Sequence, residues 1–442
     1  MAPPRLQPRR SAVLVGLHVV LLSLGPLSGC GSDAPAKPKT DLCSGALAEK
    51  FATLVGGTAD DVAFSLVQAP DDGFVLAGRS DSLATGANRG WAAKVDKYGR
   101  FIWGTDLGPT AGFGAADVTS ATGGGYLVAH GAMAVMKLDE AGAVQWQRTH
   151  ADTSKLPRIA YAIARSATGG GVIAGAAYTA AGGTTAAREA LLVRFGDKGE
   201  QVWSQTYKRD ALTQPEDVAT VDKGFLLVGW TEGKIGATGR DFWALRTGDT
   251  GNELWNKRWG GSFDDEAKAV AIAPDGGFVL TGLTHSIGAG GADLWVMKVD
   301  ANGGQLWSRS YGGEEADEGH GITRVGDNFV MTGRRNSLGV GPGGLWLLEI
   351  SGSGDLVWQA TYGAAWKTQG FAVIALHDGY AVAGSSIRNS MGGNDFWLVR
   401  SDKIGQHKCP GALCFGADDL SCGAALRCDT ATDPATCATI AK

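Results

Sequence analysis

Seven carboxylates form two dense acidic clusters in the second half of the sequence, and they are the side chains best placed to do chemistry. They are Asp264, Asp265, Glu266, Glu314, Glu315, Asp317 and Glu318. Carboxylates at this density attract cations and basic protein surfaces. The alternative is that the aspartates cap turns by accepting backbone N–H bonds, and that the other carboxylates are ordinary solvated charge. The clusters therefore predict either a partner-binding surface or a set of turn caps. If they form a binding surface, neutralising Asp264, Asp265, Glu314, Glu315 and Asp317 together should weaken partner capture and leave folding nearly intact.

Residue types that support catalysis or bind metals are present but are not arranged for either task. The sequence contains no Gly-x-Ser-x-Gly turn and no His-Glu-x-x-His pattern. The seven histidines form no pair at metal-ligand spacing. His320 is singled out for a functional role because it lies beside acidic residues. We predict no catalytic residue, no metal site and no cofactor.

The first thirty residues have the features of an export signal. Three arginines precede an apolar segment, residues 12–27, that is too short and too interrupted to span a membrane as a helix. The segment ends in Leu27-Ser28-Gly29-Cys30, which resembles the lipobox of bacterial lipoproteins. In that family the chain is cut before the cysteine, which then carries acyl chains such as palmitate. The resemblance implies a signal peptide at residues 1–29 and lipidation of Cys30.

The same resemblance implies a membrane anchor and a location. Residues 30–50 would comprise the lipidated cysteine and a flexible tether. Gly31, rather than an aspartate, follows Cys30, which in Gram-negative members implies the outer membrane, on its periplasmic side or at the cell surface. A soluble secreted protein cut nearby is the alternative.

The remaining cysteines favour disulfide bonds. Export places them in an oxidising compartment, and lipidation of Cys30 leaves an even number. A metal site is the alternative, but there is no Cys-x-x-Cys pair and the spacings are irregular. The disulfide candidates are Cys43, Cys409, Cys414, Cys422, Cys428 and Cys437. Their connectivity does not follow from the sequence.

Tryptophan marks a repeat through most of the chain. Of 442 residues, 44% are hydrophobic, which is ample for a core, and the net charge of −5 provides no basic surface for nucleic acid. A glycine lies four residues before each tryptophan of one column, and a second column lies twelve residues before it. The columns are Trp103, Trp146, Trp203, Trp255, Trp307 and Trp358, and Trp91, Trp243, Trp295, Trp346 and Trp397. Such regularity predicts core packing.

Each repeat contains four short apolar runs separated by glycine-rich turns. In the fifth repeat they are residues 267–272, 278–284, 294–299 and 305–311. Seven such units predict an all-β, seven-bladed β-propeller at residues 51–408, with four antiparallel strands in each blade. The seventh unit lacks its last strand, and the run from Phe51 to Gly57 mirrors the run from Trp255 to Gly261. We therefore predict that an N-terminal strand closes the ring, leaving residues 409–442 as a cysteine-rich tail.

The repeats resemble a family of β-propeller repeats found on secreted and surface proteins of bacteria. The resemblance is carried by units such as that from Trp259 to Gly313, with Asp-Gly-Gly-Phe-Val-Leu, Asp-Leu-Trp and Gly-x-x-x-Trp in order. It implies the propeller architecture over residues 51–408. It implies little about activity, because propellers carry unrelated functions.

Three functions are compatible with this sequence. The first is an envelope-anchored, non-enzymatic binding or scaffold lipoprotein that uses the loop face of the propeller to hold an unknown protein or glycan ligand. Residues 245–255 resemble the Trp-docking motif of quinone-dependent propeller enzymes, which outer-membrane assembly lipoproteins share. An outer-membrane assembly factor is therefore the second function and a quinone-dependent enzyme the last. The sequence offers no carboxylate set that would hold the enzyme's calcium ion.

Overall fold

The computed structural model describes thirteen stretches of the chain, and their regular elements are β-strands. The described residues are 52–56, 59–82, 89–109, 117–150, 157–179, 188–208, 212–233, 239–337, 343–363, 367–387, 393–403, 426–429 and 436–439. Across these stretches we find no helix with the length and apolar character needed to cross a membrane. The predicted all-β class is confirmed.

Within these residues the strands form seven four-stranded antiparallel sheets, each of which is one blade. Blades 1 to 4 are β2 (Asp61–Gln68), β3 (Phe74–Ser80), β4 (Arg89–Val95) and β5 (Phe101–Pro109); β6 (Asp117–Ser120), β7 (Tyr126–His130), β8 (Ala134–Leu138) and β9 (Val144–Thr149); β10 (Arg158–Arg165), β11 (Gly171–Tyr178), β12 (Arg188–Phe195) and β13 (Gln201–Tyr207); and β14 (Thr213–Val221), β15 (Gly224–Glu232), β16 (Arg240–Thr247) and β17 (Glu253–Trp259).

Blades 5 and 6 continue this pattern, and blade 7 takes its fourth strand from the other end of the propeller. They are β18 (Asp265–Ile272), β19 (Phe278–Thr284), β20 (Asp293–Val299) and β21 (Gln305–Tyr311); β22 (Asp317–Val325), β23 (Asn328–Arg335), β24 (Gly344–Ile350) and β25 (Leu356–Tyr362); and β26 (Thr368–Ala375), β27 (Gly379–Ile387), β28 (Asn394–Asp402) and β1 (Ala52–Val55). The first strands of neighbouring blades contact one another, which places them around a common axis.

The N-terminal strand closes the ring, as the sequence predicted. Strand β1 pairs with β28 in antiparallel register, with Ala52 opposite Val399 and Val55 opposite Phe396. Val55 also enters the apolar cluster between blades 7 and 1. Because β1 occupies the outer edge of blade 7, that edge is not left open for pairing with another chain.

An apolar cluster fills each seam between neighbouring blades in the described structure. The tryptophans of the inner column lie in these seams and are at most 3% exposed: Trp91, Trp243, Trp295, Trp346 and Trp397. Blade 2 has no such tryptophan and blade 3 has Leu191 at that place, as the repeats predicted. The cores therefore lie between blades rather than within them.

Four of the outer tryptophans, in blades 1, 3, 4 and 5, each donate a hydrogen bond to the next blade along the chain. Trp103 Nε1 donates to the Glu140 carbonyl of blade 2 at 3.1 Å, and Trp255 Nε1 donates to the Ala301 carbonyl of blade 5 at 2.9 Å. A Cβ on Gly142, whose φ is 80°, would lie 2.5 Å from the Trp103 ring. The glycine of the Gly-x-x-x-Trp pattern therefore leaves room for the tryptophan ring of the preceding blade, and the tryptophan of the same pattern contacts the following blade.

The C-terminal tail contributes one further strand pair. Strands β29 (Leu426–Asp429) and β30 (Thr436–Thr439) are antiparallel, and their backbone register places Cys428 opposite Cys437. Cys30, Cys43, Cys409, Cys414 and Cys422 lie outside the described residues. The predicted lipidation, the tether and the disulfide involving Cys43 remain predictions.

Candidate ligand site in the axial channel

A β-bulge interrupts the innermost strand at the same place in six blades. The extra residue lies three positions after the first residue of the strand in each case. The six bulged residues, here called the axial ring, are Phe64, Tyr161, Glu216, Lys268, His320 and Phe371. A bulge redirects a side chain out of the regular alternation of the strand. The corresponding position of blade 2 lies outside the described residues.

The bulged side chains meet one another across the blade seams. The rings of Phe64 and Phe371, in blades 1 and 7, lie edge to face with centroids 5.2 Å apart. The rings of Phe371 and His320, in blades 7 and 6, are also 5.2 Å apart. Lys268 Nζ of blade 5 lies 3.2 Å from Glu216 Oε1 of blade 4. Contacts between successive blades around the axis show that these side chains converge on the axial channel.

Lys268 is the central charge of the polar half of the ring. Its ammonium lies 2.7 Å from Glu266 Oε2 as well as 3.2 Å from Glu216. Burial disfavours the ammonium form, but attraction to the two carboxylates outweighs it and raises the pKa of Lys268. The side chain remains 19% exposed, so it is enclosed by protein without being sealed from water.

His320 lies beside a second ion pair. Its Nε2 is 3.3 Å from Glu318 Oε2, and Arg334 donates to Glu318 Oε1 at 2.9 Å. The interaction with His320, assisted by the charges of Arg334 and Lys268, lowers the pKa of Glu318 to about 2 despite its burial. Glu318 is therefore an anion throughout the physiological pH range.

A layer of side chains on the second and third strands supports the polar half. Trp230 Nε1 donates to Glu216 Oε1 at 3.0 Å. The guanidinium groups of Arg240 and Arg188 lie 4.3 and 4.9 Å from the centre of the Trp230 ring, within cation–π range. Arg240 also forms an ion pair with Glu266. Glu266 thus faces Arg240 with one oxygen and Lys268 with the other, whereas Oε1 of Glu216 accepts from both Trp230 and Lys268.

Tyr161 ends the polar half at blade 3. Its hydroxyl donates to Gln214 Oε1 at 3.3 Å, and that amide in turn bonds Glu216 Oε1 at 2.9 Å. Burial, together with the charge of Glu216, raises the pKa of the Tyr161 hydroxyl. The hydroxyl therefore stays protonated and acts as a hydrogen-bond donor.

The chemistry of this ring suits recognition. Its carboxylates and cations are bonded to one another, and its aromatic half offers faces and edges for packing. The described stretches contain no group of three or more His, Cys, Asp or Glu side chains that could hold a metal ion. The arrangement can donate and accept several hydrogen bonds at once beside an aromatic wall.

The seven predicted partner-binding residues do not share one environment. Asp264, Glu314 and Glu315 are exposed. Asp265 and Asp317 are fully buried. Glu266 and Glu318 adjoin the axial ring, through Lys268 and His320 respectively. The last four were expected in loops but lie at the starts of β18 and β22, because both inner strands begin two residues earlier than the apolar pattern indicates.

The buried aspartates act as caps of the loops around them. Asp265 accepts the backbone N–H of Gly261 at 2.8 Å and the hydroxyl of Ser286 at 2.9 Å. Asp317 accepts the backbone N–H groups of Gly313 and Asn336, at 2.9 and 2.8 Å. For these two residues the structure supports the turn-capping interpretation over exposure on a binding surface.

The equivalent aspartate of blade 1 explains why a glycine also precedes the inner strands of blades 5 and 6. A Cβ on Gly56 would lie 2.5 Å from Asp395 Oδ1 and 2.6 Å from Asp61 Oδ2. The glycine thus sits between a carboxylate of one blade and a carboxylate of the next. Burial and the nearby charge of Asp61 raise the pKa of Asp395 to about 6.

The Trp-docking motif at residues 245–255 has a packing role in this structure. Its hairpin lies between β16 and β17 and receives the outer tryptophan of blade 3. Trp203 Nε1 donates to the Asp249 carbonyl at 3.1 Å, and Gly251 lies against the Trp203 ring. The same contact is made at other seams, so the motif requires no cofactor to account for it.

Sequence reasoning found one member of the axial ring, His320, and missed the other five. A signal was available in the repeat alignment. The column three residues after Asp61, Asp265 and Asp317 changes from phenylalanine to lysine to histidine, while the preceding column keeps alanine or glycine. An aligned position whose residue type changes from repeat to repeat, beside positions that stay small, is one that packing does not constrain.

Comparisons with known proteins identify no family for this chain. No model of a known protein family matches the chain, and no curated protein matches it. A protein of unknown function from Bacteroides caccae is 12% identical, with a TM-score of 0.43 over 67% of this chain and 96% of that one. BamB from Moraxella catarrhalis is 13% identical, with a TM-score of 0.38 over 79% of this chain and all of that one. At these values neither likeness bears on function.

Proposed function

We propose that this protein is a non-enzymatic binding or scaffold lipoprotein of the cell envelope, which holds its ligand in the axial ring of the propeller. The observation that carries the proposal is the convergence of six bulged side chains on one channel. The seam residues are committed to packing and the hairpin glycines to docking tryptophans. The bulged column is free of both tasks and differs in chemistry from blade to blade, as expected of a recognition site on a rigid scaffold.

Three ionisable groups in and beside the axial ring support the non-enzymatic part of the proposal. A general acid or base needs a pKa near the working pH. Glu318, beside the ring, is held ionised with a pKa of about 2, and the pKa values of Lys268 and Tyr161 in the ring are raised further above neutrality. These groups keep one protonation state and serve best as fixed hydrogen-bonding partners.

The envelope part of the proposal is supported by the sequence at the N-terminus. The Leu-Ser-Gly-Cys tetrad follows an export signal, and several acyl chains on Cys30 would anchor the chain firmly. Strand β1 begins at Ala52, so the tether would enter the propeller at the outer edge of blade 7. We propose the outer membrane as the anchoring surface.

The exposed acidic residues supply a second, peripheral contact. Asp264 directly precedes β18, and Glu314 and Glu315 lie just before β22 on the same side of the neighbouring blade. Their carboxylates would steer a basic partner toward the channel entrance and make its association sensitive to salt.

Photocrosslinking in cells tests the site. The photoreactive residue p-benzoylphenylalanine replaces Phe371 in the full-length chain, and the matched control places it at Val357, which is 52% exposed on the outer strand of blade 6. Light-dependent adducts at position 371 and not at position 357 are expected. Equal adducts at both positions, or none at position 371, would overturn the proposal.

A further inference from the structure

We propose that the ligand of the axial ring is an uncharged carbohydrate; this rests on the proposed function and names its ligand class. The first observation is the balance of charge. Three carboxylates, Glu216, Glu266 and Glu318, are bonded to three cations, Lys268, Arg240 and Arg334. Each of these six charges has a counter-charge beside it. Glu232 also faces Arg240, and Arg188 lies on Trp230, so the cluster holds four carboxylates and four cations.

This balance selects against a charged ligand. An anion that approached Lys268 would compete with Glu216 and Glu266, and a cation that approached Glu318 would compete with His320 and Arg334. In either case one enclosed charge would lose its partner, which is a costly outcome. A neutral ligand bearing hydroxyl groups can bond both members of an ion pair without separating them.

The second observation is the aromatic half of the ring. Phe64 and Phe371 lie edge to face, and the centroid of the His320 ring is also 5.2 Å from that of Phe371. Both phenylalanines are only partly buried, unlike the tryptophans in the seams. A partly exposed aromatic pair in a channel offers an apolar face on which a flat, weakly polar ring can stack.

The third observation is that the two halves adjoin at His320. This imidazole touches Phe371 on one side and Glu318 on the other. A pyranose ring has an apolar C–H face and a rim of hydroxyl groups, so a sugar on Phe371 would direct its rim toward Glu318 and Lys268. Charge-assisted bonds from those groups give direction, and the aromatic face gives contact area. An apolar ligand could pack on the aromatic half, but it would remove water from the ion pairs without replacing the hydrogen bonds that the water makes.

Calorimetric titration of the lipidated protein in detergent tests the ligand class. The neutral probes are maltotriose, cellotriose and N,N′,N″-triacetylchitotriose; the charged probes are trigalacturonate and chitosan trimer, and trialanine represents a peptide. At least one neutral probe should bind about tenfold tighter than either charged trisaccharide and the peptide. Phe371→Leu, which keeps apolar volume but removes the aromatic face, should weaken that binding about tenfold. The control Phe263→Leu, at a side chain 63% exposed on the loop before β18, should not.

The outcomes separate this inference from the proposed function. Binding of trialanine or a charged trisaccharide that is lost in Phe371→Leu would leave the axial ring as the binding site but overturn the carbohydrate assignment. Failure of all three neutral probes to bind, with photoadducts still formed at position 371, would do the same. Neutral-probe binding that is equal in Phe371→Leu and Phe263→Leu would place the sugar outside the ring and overturn the inference. The melting temperature of each variant shows that it is folded.

Discussion

Asp217 Oδ2 accepts the backbone N–H of Val270 at 2.9 Å and so joins the inner strands of blades 4 and 5. The same device recurs nearby, where Asp117 Oδ2 accepts the N–H of Ile163 at 2.7 Å. Asp217 directly follows the bulged residue Glu216 of the axial ring. Each uses a buried carboxylate to satisfy a backbone donor that has no partner in its own sheet.

Burial of Asp217 makes stability depend on pH in a defined direction. Burial, with the charge of Asp117, raises the pKa of Asp217 to about 6 in the folded protein, whereas an unfolded aspartate titrates near about 3.9. The folded state therefore holds the proton more tightly, and stability falls as pH rises from about 4 to about 6. Asp217→Asn should show a smaller fall in the free energy of unfolding between these pH values, measured by chemical denaturation. The exposed control Asp222→Asn should match the parent, and parallel curves for the parent and Asp217→Asn would contradict the assignment.

Mutation of the buried acidic residues should lower the free energy of unfolding more than mutation of the exposed ones. Asp265→Ala and Asp317→Ala each remove acceptors from buried donors and should lower stability by about 1–3 kcal/mol. The double variant Glu314→Gln, Glu315→Gln alters exposed charge and should change stability by no more than about 0.5 kcal/mol. Urea titrations of the three proteins provide the comparison. This replaces the expectation that neutralising Asp265 and Asp317 would leave folding nearly intact. Equal stability of all three variants would show that the buried aspartates are not caps.

Removal of the closing strand should weaken the whole ring. Deleting residues 44–57 removes β1 from the edge of β28 and takes Val55 out of the core between blades 7 and 1. The expected loss is about 3 kcal/mol or more, because core contacts and strand pairing are lost together. Thermal melting measures it, with deletion of residues 31–42 in the tether as the control. A variant without β1 that melts with the parent would refute this role.

Lipidation should depend on Cys30 alone. Cys30→Ala should abolish incorporation of labelled palmitate and release the protein from the membrane fraction, because no acyl chain remains to anchor it. Cys43→Ala serves as the matched control and should label as the parent does. Labelling that persists in Cys30→Ala would show that another residue or another mode of attachment is used.

The remaining cysteines should form disulfides that tie the tail to itself and to the segment before the first strand. Directly opposed residues of antiparallel strands have Cα separations of about 4.5–5.5 Å, within the range of disulfides, so the register of Cys428 and Cys437 predicts a bond between them. Cys43 should then pair with one of the other C-terminal cysteines, Cys409, Cys414 or Cys422. Peptide mapping without reduction tests both statements. A free Cys43, or bonds confined to residues 409–437, would exclude the link between the two ends.

The sequence predicted the architecture because the packing positions repeat. The seams between blades are packed by the same apolar and tryptophan side chains in successive blades, so each packing position can be recognised several times in one sequence. The axial ring gives no such repetition, because Glu216, Lys268 and His320 are different residues that make different contacts. The bulges were also hidden, because the inserted residue shifts the facing of a strand without a turn residue to mark it. His320 was found only through its acidic neighbours in the sequence.

The direction of the tryptophan contacts has a consequence for how the chain matures. Trp103, Trp203, Trp255 and Trp307 each donate to a carbonyl of the blade that follows. In a chain made from its N-terminus, blades 1, 3, 4 and 5 would therefore each be secured by the blade made after it. Strand β1 differs, since its partner β28 is the last strand of the propeller to be made. The first strand therefore stays unpaired until the rest of the propeller has been synthesised, and the ring can close only then.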